Sequence, residues 1–241
     1  MEKIRINKFL ALKGIASRRE IDRLIENGEI RVNNELATSG MKVSEEDRIE
    51  ISGKKIKFQE SSEKKVYFLL NKPVKVLSAS KDDRGRKTVV DLIKCEQRIF
   101  PIGRLDYDTE GAIILTNDGE LFNKIIHPRT EVFKEYEALV RGFVDDNKIM
   151  KLQNGVELED GITLPAKVSI LSRDTLKSAV IIAIREGKNR QIRRMFDAVG
   201  NRVEKLKRTK IGDIDLKGLK AGMYRELTEK EVKYLYSLGE E

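Results

Sequence analysis

An α+β fold in two parts is what this sequence predicts, and three observations carry the prediction. From residue 66 onward, short apolar runs (VYFLLNK, KVLSAS, AIILTN, KEYEALV, AVIIAIRE) are interleaved with helical segments such as GELFNKIIH and QIRRMFDAV. No strict strand–helix–strand repeat appears, so a mixed, largely antiparallel sheet is expected. A polar stretch, FQESSEKK at 58–65, reads as a linker, and a chain of 241 residues suits two domains. The expected organisation is therefore a small N-terminal module over 1–60, a linker over 61–65 and a larger domain over 66–241.

The elements of the small part follow from local chemistry. INKFLALKG places Ile6, Phe9 and Leu10 on one face of a helix. In SRREIDRLIENG, Ser17 caps a second helix, Glu20 three residues on completes a capping box, and Gly28 supplies the left-handed stop. Ile21, Leu24 and Ile25 form its buried stripe, leaving Arg18, Arg19 and Arg23 to project elsewhere. EIRVNNELA then reads as strand, Asn-Asn turn and strand.

In the larger part, GRLDYDTEG at 103–111 lies between the apolar runs RIFPI and AIILTN, so it is expected to be a loop at a strand edge. Its glycines allow close backbone approach to a ligand. Lys134 and Tyr136 in FKEYEALV fall on the same side of a strand. In EGKNRQIRRMFDAVG, Asn189 is placed to cap a helix and Gly200 to end it. Ile192, Met195, Phe196 and Val199 make its core stripe, and Arg190, Arg193, Arg194 and Asp197 lie on another face.

Charge narrows the function. The 48 Lys+Arg against 40 Asp+Glu give +8 and a pI near 9.4, which favours polyanionic partners. Ten basic side chains between 185 and 210 face only three acids there, Glu186, Asp197 and Glu204, so nearly the whole surplus sits in that stretch. A nucleic acid is the expected partner. His127 is the only histidine and Cys95 the only cysteine, which excludes an internal disulfide and a zinc site of the usual ligands. No run approaches the roughly 18 apolar residues of a membrane span, and the charged MEKIRINKFL, with no apolar stretch of signal-peptide type after it, gives no expectation of export. A cytoplasmic monomer without membrane contact is expected, and any catalysis is expected to rest mainly on carboxylates, Tyr, Lys and Arg.

The phrase ASRREIDRLIENGEIRVN resembles the small RNA-binding module named after ribosomal protein S-four, over about sixty residues. The resemblance implies that Arg18, Arg19 and Arg23 face RNA phosphates. Further on, GRLDYDTEGAIILTNDGEL, IHPRTEVFKEYEALV, NGVELEDG, EGKNRQIRRM and VGNRVEKLKRTKIGDIDLKGL, in this order, resemble the RsuA/RluB family of ribosomal RNA pseudouridine synthases across essentially the whole chain. The HP after the helix, VELEDG and IGDI resemble the RluB type more than the RsuA type.

That resemblance implies a pseudouridine-synthase domain with Asp106 as the catalytic aspartate, Tyr136 stacked on the target uracil, Lys188 paired with the aspartate, and Arg104 holding the flipped-out state. Arg190, Gln191, Arg193, Arg194, Lys207 and Arg208 are expected to face RNA. In NKPVKVLSA, Lys75 stands where the family usually has glycine. The expected substrate is a uridine of ribosomal RNA, in the large subunit's 23S molecule, free or in a pre-ribosomal particle. Isomerisation adds and removes no atoms, in keeping with a chain that shows no cofactor-binding signature. A non-catalytic RNA-binding or ribosome-assembly protein would also satisfy the N-terminal module and the charge, but leaves GRLD, Tyr136 and EGKNRQIRRM unexplained. An RNA methyltransferase would need a glycine-rich nucleotide loop that the sequence lacks.

Overall fold

The computed structural model describes residues 3–56, 64–127 and 129–239. The chain divides into two compact units, residues 1–64 and 65–241, each with its own core. Of the stretch expected to link them, residues 61–63 lie outside the described residues.

In the first unit, β1 (Ile4–Arg5) leads into α1 (Ile6–Leu12), and α2 (Arg18–Glu26) begins where the Ser17 hydroxyl accepts the Glu20 N–H at 3.1 Å. Strands β2 (Ile30–Val32) and β3 (Glu35–Leu36) are joined by Asn33 and Asn34, both at positive φ, the residue type that tolerates such a two-residue turn. β4 (Lys42–Val43) pairs with β1, while β5 (Ile49–Ile51) and β6 (Lys54–Lys55) complete a four-stranded sheet ordered β3-β2-β5-β6. Ile6, Phe9 and Leu10 of α1 and Ile21 and Ile25 of α2 bury against Ile30, Val32 and Ile49. The helical and strand periods read from the sequence meet in that core.

The second unit carries β7 (Tyr67–Lys72), β8 (Phe100–Ile102), β9 (Glu110–Thr116), α3 (Gly119–Ile126), β10 (Lys134–Arg141) and α4 (Asp146–Asn154). It continues with β11 (Glu157–Leu158), β12 (Gly161–Ile162), β13 (Lys167–Arg173), β14 (Lys177–Ile184), α5 (Gln191–Ala198) and β15 (Val203–Ile211). β16 (Ile214–Asp215), β17 (Tyr224–Glu226) and α6 (Glu229–Ser237) close the chain. The main sheet runs β13-β14-β10-β15-β9-β7-β17, with β8 on β9 and β16 on β15. Every described pairing in it is antiparallel except β15 with β9.

Alternation along the strands fills both faces of this sheet. Phe68, Leu70, Ile113, Leu115, Ala138 and Val140 point to one core, which takes Ile192, Met195 and Phe196 of α5. Leu69, Ala112 and Ile114 point to the other, which takes Leu121 and Ile125 of α3 and Leu235 of α6. Gly111 is demanded where β9 meets β15. A Cβ there would lie 2.2 Å from the Arg208 carbonyl oxygen, and φ is +118.

Two expectations need correction. KVLSAS is no strand: only Leu77 bridges, to Thr88, because Lys75 takes a left-handed turn (φ 63) and breaks the run. Asn189 does not cap α5. Arg190 holds that position, itself left-handed at φ 47, and makes no side-chain cap.

Candidate active site

The loop between β8 and β9 is pinned by backbone contacts before any catalytic group is considered. Leu105 is buried in the core, and its N–H and C=O are both engaged by the Ser78 hydroxyl, at 3.0 and 2.9 Å. The Lys75 N–H donates to the Tyr107 carbonyl at 2.7 Å, and Thr109 N–H closes a turn onto the Asp106 carbonyl at 3.1 Å. From α5, Arg193 donates to the Asp108 carbonyl at 3.0 Å. The left-handed Lys75 therefore has a structural use: its turn brings its N–H to the loop.

With Leu105 anchored inward, Asp106 projects into a cleft of about 770 Å³ whose walls include Arg104, Lys134, Tyr136, Lys188, Arg190 and Arg208. Its side chain keeps 31% of its surface exposed. Arg190 approaches it, with Nη1 3.9 Å from Asp106 Oδ2. That guanidinium makes a two-pronged bond to Asp108, at 3.0 and 3.1 Å, which holds Asp108 below the ordinary carboxylate range. Arg193 adds a contact to Asp108 at 3.3 Å. Asp108 thus fixes the arginine that faces Asp106.

Lys188 lines the same cleft but does not pair with Asp106. Its ammonium donates to the carbonyls of Asp160, Gly161 and Ile162 at 3.1, 2.9 and 3.3 Å, because the turn before α5 aims it at the β11–β12 hairpin. Several expected RNA contacts are likewise committed inside the protein. Gln191 is buried, accepting the Lys188 N–H and donating to Glu186. Arg193 is only 8% exposed and also donates to the Val203 carbonyl. Arg194 forks onto Asp160 at 2.8 and 2.9 Å.

Arg208 is buried at the cleft floor, donating to the Ala112 carbonyl and the Tyr136 hydroxyl, the latter at 3.4 Å across the β10–β15 pair. Tyr136 is buried as well and belongs to the core while its surface faces the cleft. Lys207 sits 3.5 Å from Glu110. Arg104 is exposed on the rim. In the first unit, Arg18, Arg19 and Arg23 all stand on the exposed side of α2, Arg23 paired with Glu20.

Sequence reasoning missed Lys72 and gave Lys134 a place beside Tyr136 but no role. Lys72 is fully buried at the end of β7, donating to the Pro73 and Val76 carbonyls at 3.0 and 2.9 Å. Burial pushes it down to about 8, against the pull of the Asp106 and Asp108 carboxylates. The signal was a lysine closing the apolar run VYFLLNK just before a proline. Lys134, on the cleft wall, is likewise lowered to about 8 by burial and by Arg208, and donates to the carbonyls of Val132 and Arg185.

The family model described as RNA pseudouridylate synthase matches residues 66–198, and that of the S4 domain matches 4–49. The chain is 48% identical to the ribosomal large subunit pseudouridine synthase B of Bacillus subtilis (strain 168), over 98% of this chain and 97% of that one. It is 38% identical to the dual-specificity RNA pseudouridine synthase RluF of Escherichia coli (strain K12), over 98% of this chain and 80% of that one. A solved structure titled as the crystal structure of a pseudouridylate synthase, 31% identical, superposes with a TM-score of 0.69 over 96% of this chain and 99% of that one.

Proposed function

The chain belongs to the RNA pseudouridylate synthase family and is an isomerase of that kind; from this premise we propose that it modifies a uridine of large-subunit ribosomal RNA, with Asp106 carrying the chemistry. The observation that supports the role most strongly is the projection of Asp106 into the cleft from a pinned loop, with Arg190 at 3.9 Å. The reaction breaks the bond from ribose C1′ to N1 and joins C1′ to C5. The proton leaves C5, and N1 ends protonated, so the base needs one positioned carboxylate and room to turn.

An ionised carboxylate serves as nucleophile or base only if charge compensation survives the exclusion of water. Arg190 provides that compensation, and the fork from Asp108 holds it there. Tyr136 and Arg208 form the floor on which the uracil ring rests, and Arg104 on the rim meets the strand that delivers it. Extruding the uridine costs a few kcal/mol, which stacking and phosphate contacts offset. Exposed Arg18 and Arg19 on α2 bind the surrounding RNA through its phosphates. Beside the cleft, a second hollow of about 600 Å³ lined by Arg141, Arg190 and Arg202 offers the RNA a further path. A ribosomal RNA substrate sets the work in the cytoplasm.

Pseudouridines of large-subunit ribosomal RNA mapped in cells with the gene, without it, and with Asp106→Asn in its place test this reading. One site or a small cluster is expected to vanish in both altered strains. An unchanged map without the gene removes the substrate assignment, and a full map with Asp106→Asn removes the residue.

A further inference from the structure

The hairpin of β11 and β12 is built to be rigid. Where the chain leaves α4, Gly155 (φ 95) is pinched so closely that a Cβ would lie 2.4 Å from the Thr163 carbonyl oxygen. Buried Thr163 seals the base, its N–H donating to the Val156 carbonyl and its hydroxyl accepting the Val156 N–H at 3.0 Å. The tip is then held from the segment that opens α5. Lys188 binds three successive carbonyls, Arg194 forks onto Asp160, and Glu186, fixed by Gln191, accepts the Leu164 N–H at 2.8 Å.

What these polar anchors hold outward is apolar. Ile162 is 71% exposed and Leu164 is 41% exposed, and Leu164 lines the same cleft as Asp106. A lone exposed isoleucine is unremarkable on most surfaces. Here it stands on a fixed backbone, two residues from the Leu164 that lines the cleft.

We propose that the β11–β12 hairpin is a specificity element, in which Ile162 and Leu164 press against the nucleotide next to the target uridine. Lys188, Arg194 and Glu186 are positioning residues for it. The inference rests on the reading of the Asp106 cleft as the uridine site. A base taken out of its stack leaves a neighbour uncovered, and an apolar side chain wedged there replaces the lost contact. Phosphate contacts alone carry no sequence information, whereas contacts to exposed bases do.

Steady-state kinetics on a transcript of large-subunit ribosomal RNA, with hydrogen exchange of the hairpin amides, test the proposal in Ile162→Asp, Lys188→Met and Lys188→Arg. Ile162→Asp is expected to raise KM about tenfold, the scale of one lost base contact, with kcat nearly unchanged. Lys188→Met is expected to speed exchange over residues 157–162 and raise KM similarly, while Lys188→Arg, still able to donate to the carbonyls, restores both. An unchanged KM in Ile162→Asp overturns the proposal. So does a Lys188→Met enzyme that loses kcat while hairpin exchange and KM stay as they were, since Lys188 would then act on the reacting atoms. If sedimentation shows that Ile162→Asp separates a dimer while KM holds, the tip docks a second copy and the RNA contact falls. A transcript that the wild type leaves unmodified overturns this proposal and the reading of the cleft together; one that it modifies with KM indifferent to Ile162 overturns this proposal alone.

Discussion

Two helices of this chain carry clustered arginines, and they spend them differently. On α2, Arg18 and Arg19 remain on the exposed side, and Arg23 pairs with its own neighbour Glu20. On α5 and at its start, Arg190, Arg193 and Arg194 are committed to Asp108, the Val203 carbonyl and Asp160. Similar strings of basic residues thus do opposite work. The first leaves its charge exposed, as the proposed RNA contact requires, and the second fixes the shape of a carboxylate-bearing loop and of a hairpin. Counting charge in sequence detects both clusters but does not separate them, because the separation lies in partners 10, 34 and 82 residues away.

This contrast breaks most visibly at Arg193. Arg193→Met would strip bonds from the Val203 and Asp108 carbonyls, so a stability loss of about 2 kcal/mol is expected in urea unfolding, together with loss of activity. A surface phosphate ligand would show no such loss. Next in size, Arg190→Lys keeps the charge but loses the fork on Asp108; turnover is expected to fall roughly a hundredfold while RNA affinity changes little.

On the other helix, Arg18→Ala with Arg19→Ala should weaken RNA binding and reduce the slope of log affinity against log salt by about 1 to 2, leaving kcat at saturating RNA and the melting temperature unchanged. A drop in melting temperature there would erase the distinction between the helices. The smallest effect is expected at Lys75. Its φ of 63 costs a non-glycine residue energy, so Lys75→Gly should stabilise the protein by about 1 kcal/mol in thermal unfolding.

Much of the architecture was legible from local pattern. The Ser17 cap, the Asn33-Asn34 turn and the core stripe of α5 depend on residues a few positions apart, and they stand where the periods put them. Asn189 as a cap and KVLSAS as a strand failed for a shared reason. In each case a residue, Arg190 or Lys75, accepts a left-handed backbone so that a distant contact forms. Within the site, sequence brought Asp106 and Tyr136 to attention, and both line the cleft. Lys188 and Arg190 could not be ranked from sequence, since both are basic, both adjoin α5, and only the fold shows one turned to the hairpin and the other to Asp106. Lys72 is harder to find, because a lysine closing an apolar run before a proline is the one local sign that it is buried.

Asp106, set in a loop held by α5, is the residue proposed to perform the isomerisation. Single-turnover conversion of a large-subunit ribosomal RNA transcript by Asp106→Asn, read by carbodiimide labelling and reverse transcription alongside RNA affinity, addresses it most directly. No pseudouridine with affinity close to wild type is the expected result; pseudouridine formed at a rate near that of the wild type would contradict it.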